Sequence, residues 1–123
     1  KNTPGAIGYL NYGYVKGSFQ QAAIQNKAGN YVRANAETSA AGLSQIKLDS
    51  KLRGTDANPA GANAFPIVSL TWILAEPGHK TDDVKSALRY MLSEEAQSKS
   101  DSLGYVPLPE DLRQKSLAAV ESL

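Results

Sequence analysis

The chain of 123 residues has the length of one ordinary domain, and its 13 basic and 12 acidic residues leave a formal net charge of +1. Ile, Leu, Val and Phe supply only 26 residues, barely above the roughly 20% below which disorder becomes common. The chain has no basic stripe of the kind that nucleic-acid binders carry, no run near the roughly 20 apolar residues of a membrane helix, and no cysteine for disulfides or thiolate sites. So few large apolar side chains predict that a partner surface, or the rest of a larger protein, completes the core.

The first third of the sequence predicts short local elements. Residues 6–9 follow the turn formers Pro4-Gly5 and predict a strand. Residues 10–15 have features of both a helix and a strand, and a short helix that ends at Gly17 is favoured. The sequence Asn26-Lys-Ala-Gly-Asn30 stands between two β-prone segments and contains residues that tolerate positive φ. It therefore predicts a β-hairpin.

The middle of the chain predicts a helix, a loop and a buried strand. Glu37-Thr38-Ser39 supplies residues suited to a helix start, and residues 53–63 predict a loop because Gly, Asn, Asp and Pro are concentrated there. Residues 65–75 form the most hydrophobic segment and are rich in β-branched and aromatic residues. They predict a buried strand, with Trp72 in the core.

The C-terminal part predicts two helices. Thr81-Asp82-Asp83 predicts a helix start, and apolar residues at helical spacing extend that helix to about Leu103, where Gly104 ends it. After an extended, proline-containing turn, Pro109-Glu110-Asp111 predicts the start of the last helix. The order of the elements indicates a mixed α/β chain.

No group of residues in the sequence predicts catalysis. Arg53-Gly54-Thr55-Asp56 combines a cation, a hydroxyl and a carboxylate, as oxyanion sites do, but no helix start follows it, so a solvated loop is favoured. Gly5-Ala-Ile-Gly8 lacks the third glycine and the Lys-Ser/Thr pair of phosphate-binding loops. The residues within each of the pairs Asp82-Asp83 and Glu94-Glu95 point about 100° apart on a helix, which favours a solvated helix face and complementation of the helix dipole over a shared proton site. His79, the single histidine, has no second ligand nearby and predicts a surface residue and no metal site.

Four short motifs occur in an order and at spacings that are specific only in combination. They are Thr3-Pro-Gly-Ala-Ile-Gly-Tyr9, Gln25-Asn-Lys-Ala-Gly29, Phe65-Pro-Ile67 followed by Thr71-Trp-Ile-Leu74, and Leu103-Gly-Tyr-Val-Pro-Leu-Pro109. Through these motifs, essentially the whole chain resembles the C-terminal portion of PstS-type phosphate-binding proteins, the extracytoplasmic receptors of phosphate ABC importers.

This resemblance implies an α/β fold, the two-domain clamshell of type II periplasmic-binding proteins, of which the chain is the C-terminal portion. Residues 1–64 are then expected to close the second domain, residues 65–75 to cross the hinge as a strand, and residues 76–123 to form the C-terminal part of the first domain. The sequence begins at Lys1 without an initiator Met or a signal segment, which is expected of a processed chain or of a fragment.

The resemblance also implies inorganic phosphate as the ligand, an ABC permease as the membrane partner, a periplasmic or otherwise extracytoplasmic location, and neither a cofactor nor an enzymatic activity. The family holds phosphate with hydroxyls, backbone N–H groups, an Arg and an Asp, and its Ser-Gly-Thr motif with a nearby Arg is absent from this sequence. Arg53-Gly54-Thr55 matches neither the order nor the position of that motif. The phosphate ligands are therefore expected upstream of Lys1, in a missing N-terminal part or a complementary chain of the same protein.

Other functions are left open at this point. A binding protein of the same fold can serve another oxyanion, because the ligand loops that discriminate between anions are not in this sequence. A non-catalytic interaction module derived from the fold would use its cleft face as a protein interface. An enzyme would need a nucleophile or an acid–base pair, and no motif here provides a convincing one.

Overall fold

The computed structural model describes residues 3–76, 78 and 81–123, and within these ranges helices prevail over a single hairpin. The elements in chain order are the 3-10 turn Tyr12–Tyr14, β1 (Ile24–Gln25), β2 (Tyr31–Val32), α1 (Ala36–Leu43), α2 (Thr81–Met91), α3 (Glu94–Ser98), the 3-10 turn Asp101–Leu103 and α4 (Glu110–Glu121). The chain is therefore a small unit of mixed α and β structure.

The predicted hairpin is confirmed as the antiparallel pair β1 and β2. Its turn closes through the Asn26 N–H, which donates to Asn30 O at 2.8 Å, and the Gly29 N–H, which donates to Asn26 O at 2.9 Å. Gly29 adopts a φ of 87°, which glycine tolerates because it has no Cβ. The register pairs Ile24 with Val32 and Gln25 with Tyr31.

Helix α1 is confirmed, but its cap differs from the predicted one. The N-cap is Asn35, whose Oδ1 accepts from the Thr38 N–H at 2.8 Å, while Thr38 Oγ1 accepts from the Asn35 N–H at 3.2 Å. This reciprocal capping box satisfies two backbone donors that a helix start otherwise leaves unpaired. Thr38 is therefore the third residue of the helix and completes the capping box, whereas the sequence predicts it within the segment that caps the helix start.

The buried core is small and joins distant parts of the chain. Leu43, the last residue of α1, and Ile46, which follows the helix, form one cluster with Leu112 of α4. Side chains that pack against this cluster and are only partly buried are Leu48, Val68, Leu70 and Val106. The few large apolar residues of the sequence thus build only a limited interior.

The single long helix predicted from residue 81 to about Leu103 is wrong in its length. The structure divides this stretch into α2, α3 and the second 3-10 turn. The break lies at Ser93, which has extended backbone (ψ 155°) and whose Oγ accepts from the Ala96 N–H at 3.2 Å. A serine that caps the following helix cannot continue the preceding one. Gly104, with a φ of 83°, ends the last turn as predicted.

The last helix is confirmed as α4, with Leu112 and Val120 buried. Helix α2 contacts both α3 and α4. Between α2 and α4, Arg89 donates from Nε and Nη2 to the two carboxylate oxygens of Glu121, each at 2.6 Å. The C-terminal helices therefore pack together with a bidentate ion pair at their outer edge.

Two predicted strands and one predicted helix are not formed among the described residues. Residues 6–9 and 65–75 are not paired with any strand there, and residues 10–15 form only the 3-10 turn Tyr12–Tyr14. A strand exists through hydrogen bonds to a neighbouring strand, and the described part of the chain offers none to these two segments.

The predicted burial of residues 65–75 is confirmed only at the start of the segment, where Val68 and Leu70 pack against the core cluster. Further along, Leu74 is 98% exposed and Trp72, predicted in the core, is 42% exposed. The segment is nevertheless anchored at its start, where the Phe65 N–H donates to Thr38 O at 2.9 Å. Gly42 of α1 lies so close to this point that a Cβ on it would stand 2.7 Å from Phe65 O.

Candidate functional site

The polar group around Arg53 lies at an open groove of about 520 Å³. The residues that line it are Asp49, Arg53, Gly54, Thr55 and Trp72. Asp56, the fourth member of the group singled out in the sequence, does not line the groove, and its Oδ1 instead accepts from the Asn58 N–H at 3.0 Å. The structure therefore brings together Arg53 and Thr55 but not the predicted carboxylate.

Asp49 is the carboxylate that the sequence analysis missed in this groove. Its Oδ1 accepts from the backbone N–H groups of Lys51 and Arg53 at 2.8 and 2.9 Å, and its Oδ2 accepts from Nε and Nη2 of Arg53 at 2.9 and 2.7 Å. These bonds, above all those from the Arg53 side chain, lower the pKa of Asp49 from 3.8 to about 2. Since an anion would have to compete with this carboxylate for the guanidinium, the groove is not a preformed anion site.

Trp72 bounds the same groove and holds a strained turn. Its Nε1 donates to Leu52 O at 2.9 Å, and Leu52 adopts a φ of 58°. The left-handed conformation costs a residue with a Cβ about 1 kcal/mol or more. Because the indole bond and the Asp49 bonds fix the loop on both sides, the turn keeps this conformation. The role of Trp72 here is structural.

A second groove of about 250 Å³ lies between α3 and the start of α4 and is acidic. Its charged residues are Glu94, Asp101, Glu110 and Arg113. Arg113 donates from Nε and Nη2 to the two Glu110 oxygens, each at 2.8 Å, and from Nη1 to Leu92 O at 3.1 Å. Hydrogen bonds from Arg113, and then from Gln114, lower the pKa of Glu110. Three carboxylates against one fully engaged guanidinium make this groove unsuitable for an anion.

The remaining residues singled out by sequence form no site. Glu94 and Glu95 face different partners, Arg113 at 3.8 Å and Lys99 at 3.6 Å, so they do not share a proton, as predicted. Asp82-Asp83 lies exposed in the first turn of α2, and Gly5-Ala-Ile-Gly8 is exposed throughout. His79 lies outside the described residues. Among the residues that are described, no group of three or more acidic or histidine side chains is placed to hold a metal ion, and no helix is long and apolar enough to span a membrane.

The Asn26 side chain makes five hydrogen bonds, the largest number of any side chain in the described residues. From its local sequence, Asn26 is predicted only to form a turn. It is 4% exposed. Its Oδ1 accepts from the N–H groups of Ala28 and Asn30 at 3.1 and 3.0 Å. Its Nδ2 donates to the carbonyl oxygens of Gly61, Ala62 and Ala64 at 3.1, 2.9 and 3.1 Å. All of its polar atoms are used within the chain, so Asn26 joins the hairpin to a distant loop and is not a ligand.

The arginines of the chain are engaged in the same way. The partners are Gln21 O for Arg33, Asp49 for Arg53, Glu121 for Arg89, and Glu110 with Leu92 O for Arg113. In the ranges that the structure describes, no buried side-chain nitrogen or oxygen lacks a partner. A phosphate group is held by donors that are free to point at it. None of the four arginines is thus left without a partner in the described chain, and no buried side-chain donor waits there for an anion.

Comparison with known proteins identifies relatives along the whole chain. A phosphate-binding protein PstS of Methanocaldococcus jannaschii is 29% identical over 140 aligned positions, which cover 100% of this chain and 36% of the relative. Those of Pasteurella multocida and Xylella fastidiosa are 28% and 30% identical, covering 89% and 88% of this chain and 34% and 31% of the relatives. No family model matches the chain.

The chain therefore spans about one third of the length of the curated relatives that it matches. A match of this extent is consistent with the single, C-terminal portion that the four sequence motifs indicate. The alignments confirm the resemblance: along nearly all of its length, this chain is similar to PstS-type phosphate-binding proteins.

Proposed function

We propose that this chain is part of a PstS-type phosphate-binding protein, a non-enzymatic receptor that presents inorganic phosphate to an ABC permease outside the cytoplasm. The observation that carries the proposal is the alignment of nearly the whole chain with proteins named for phosphate binding. The chain contributes the C-terminal portion of that receptor, and the phosphate ligands come from the remaining portion.

Three of the four motifs support this division between scaffold and ligand set, because each of the three contacts a segment distant from it in sequence. Asn26 of the second motif binds the carbonyls of residues 61–64, and Phe65 of the third binds Thr38 O. Gly104 of the fourth stands against Gly13, close enough that a Cβ on Gly104 would lie 2.7 Å from the Gly13 Cα. Residues that resemble the family thus build the scaffold, which supports a ligand set located elsewhere in the protein.

On this proposal the chain belongs to a two-domain clamshell. Residues 1–64 close the second domain, residues 65–75 cross the hinge, and residues 76–123 end the first domain. The contact of Leu112 with Leu43 and Ile46 is then a contact between domains.

Isothermal titration calorimetry tests the proposed function on two proteins: the 123-residue chain and the longer polypeptide encoded by the same gene. Inorganic phosphate is titrated into each, and sulfate serves as the matched anion because it lacks a proton to donate at neutral pH. We expect saturable binding of phosphate by the longer protein, no binding of sulfate, and no saturable heat with the 123-residue chain.

Each other outcome is decisive. Absence of phosphate binding by the longer protein would overturn the function. Tighter binding of sulfate would favour a receptor of the same fold for another oxyanion. Micromolar phosphate binding by the 123-residue chain itself would place ligands among the residues described above and would refute their location elsewhere.

A further inference from the structure

We infer that Asn26 is a positioning residue for phosphate binding: it fixes the point at which the chain leaves residues 1–64, and through that point it sets how precisely the receptor closes on its ligand. The inference rests on the proposed function, because it takes the longer receptor as the protein that binds phosphate. It goes beyond that function by giving a role in affinity to a side chain whose polar atoms are all used within the chain.

The loop that precedes Phe65 is anchored by the side-chain amide of Asn26. Asn26 Nδ2 donates to the carbonyl oxygens of residues 61, 62 and 64 at 2.9–3.1 Å, and Asn30 Nδ2 donates to the second of these at 3.0 Å. Asn26 is 4% exposed and Ala64 is 0% exposed. Because a buried carbonyl that loses its donor carries a full desolvation cost, the bond to Ala64 in particular holds the loop at one position against the hairpin turn.

The end of the loop is also held by α1. The Phe65 N–H donates to Thr38 O at 2.9 Å. Gly42, one turn further along α1, leaves no room for a side chain, because a Cβ on it would stand 2.7 Å from Phe65 O. Phe65 therefore lies directly against the backbone of α1, and the hairpin, the loop and α1 form one connected unit.

The restraint by backbone bonds ends at Phe65. Among the described residues, 66–76 make no backbone–backbone hydrogen bond. One side-chain hydrogen bond in the described chain ties them to residues 3–64, from Trp72 Nε1 to Leu52 O at 2.9 Å. The direction in which the chain leaves residues 1–64 is therefore set at Phe65, by Asn26 on one side of the loop and by α1 on the other.

On the proposed function, this exit is the point at which the second domain of the clamshell passes into the segment that crosses to the first. Proteins of this kind close around their ligand by rotation about a few residues, while the parts on either side move as rigid bodies. A loosened exit lets the two domains meet in many nearly closed arrangements, and only a fraction of these brings all phosphate ligands together. The apparent dissociation constant rises as that fraction falls, so Asn26 affects affinity without contacting phosphate.

Phosphate titration of the longer polypeptide encoded by the same gene tests this role, at a temperature where circular dichroism shows each variant to be folded. Asn26→Ala removes the three donated bonds, and we expect a Kd at least about tenfold above that of the unsubstituted receptor, within the usual range of coupling between distant sites. The rise should come from faster dissociation, measured by rapid filtration of radiolabelled phosphate. Association should change little, because the groups that meet phosphate are intact.

A second variant disturbs the same loop without touching Asn26. Gly61 adopts a φ of 125°, which a residue with a Cβ tolerates poorly. Gly61→Ala therefore shifts the carbonyls that Asn26 binds, and it should raise Kd at least about fivefold.

Val120→Ala is the matched control for lost stability. Val120 is 6% exposed and lies in α4, not in the anchored loop. Its truncation should lower Tm because it leaves a cavity, but Kd should stay within about twofold of that of the unsubstituted receptor, since distant and independent sites do not couple.

Three results would overturn the inference. The first is an unchanged Kd in folded Asn26→Ala or, where that variant does not fold, in Gly61→Ala. The second is a Val120→Ala protein whose Kd rises as much as that of Asn26→Ala at an equal loss of Tm, which would show that affinity only follows stability. The third is a rise in Kd that comes entirely from slower association, which would assign the loop to ligand entry and not to closure.

The unsubstituted receptor separates this inference from the proposed function. An unsubstituted receptor that does not bind phosphate would overturn both. Phosphate binding that neither Asn26→Ala nor Gly61→Ala alters would leave the function in place and overturn the role of Asn26 alone.

Discussion

Asn26 Nδ2 donates to the carbonyl oxygen of Ala62 at 2.9 Å across 36 residues of sequence. The same amide group also reaches the carbonyls of Gly61 and Ala64, while its oxygen closes the hairpin turn. A single buried side chain therefore fixes the position of the hairpin relative to the loop that leads into the apolar segment.

Replacement of this side chain should be strongly destabilising. Asn26→Ala removes five hydrogen bonds and leaves the buried Ala64 carbonyl without its donor, so we expect a loss of about 2–4 kcal/mol in the free energy of unfolding. Chemical denaturation measures this loss, and faster exchange of the Ala28 and Asn30 amides would localise it. Asn30→Ala is the matched control, because Asn30 Nδ2 donates to the same Ala62 oxygen from an exposed position, at 3.0 Å. Its cost should stay below about 1 kcal/mol, and equal costs for the two variants would contradict the central role of Asn26.

The elements that sequence predicts well are those whose cause is local. The hairpin follows from a turn that contains Gly29 at positive φ, and α4 follows from an acidic first turn after Pro109. The sequence next to Asn26 cannot predict its hydrogen bonds to the distant loop, because the carbonyl acceptors lie 35–38 residues away. Its membership in one of the four family-like motifs was the one indication that it does more than form a turn.

The errors have a physical reason as well. Residues 65–75 have the composition of a buried strand, but burial and pairing depend on neighbours that the described residues do not provide. The break at Ser93 was missed because a serine tolerated within a helix and a serine that caps the next helix look alike in sequence. The Arg53 group was recognised, but its real partner, Asp49, was not, since the loop between them reverses the chain.

The contact between Gly13 and Gly104 should tolerate no side chain. A Cβ on Gly13 would overlap the Gly104 backbone, with the carbonyl oxygen only 2.7 Å away. We expect Gly13→Ala to force the two segments apart and to cost about 1–3 kcal/mol of stability, as overpacking does. Gly8→Ala is the control, because a Cβ there meets nothing within 4 Å, and its effect should stay within about 0.5 kcal/mol. Equal melting temperatures for the Gly13→Ala and Gly8→Ala proteins would show that Gly13 and Gly104 do not lie this close together.

The loop around Asp49 should lose its structure only in strong acid. Because the folded pKa of about 2 lies below the ordinary value of 3.8, the carboxylate stabilises the folded loop at higher pH. That contribution is lost as the pH falls from about 3.8 through about 2. A carbon-13 NMR titration of the Asp49 carboxyl measures the pKa directly.

The variant Arg53→Gln tests the cause of this shift. The largest contribution comes from the Arg53 side chain, so we expect the pKa of Asp49 to rise toward 3.8 without reaching it, since the backbone N–H groups of residues 51 and 53 remain. Lys51→Gln keeps the Lys51 backbone donor and should leave the pKa nearly unchanged. A pKa that stays near 2 in Arg53→Gln would show that the backbone alone accounts for the shift.

Replacement of Arg113 should weaken the packing of the C-terminal helices. Its side chain is only 11% exposed and ties the start of α4, through Glu110, to Leu92 O at the end of α2. Arg113→Lys keeps the charge but cannot donate to both Glu110 oxygens and to the carbonyl at once, so we expect Tm to fall by several degrees. Lys115→Arg is the matched control, because Lys115 is exposed and stands 3.9 Å from Asp111. Its Tm should not change, and an Arg113→Lys protein with unchanged Tm would show that charge alone, and not the fork of hydrogen bonds, holds these helices together.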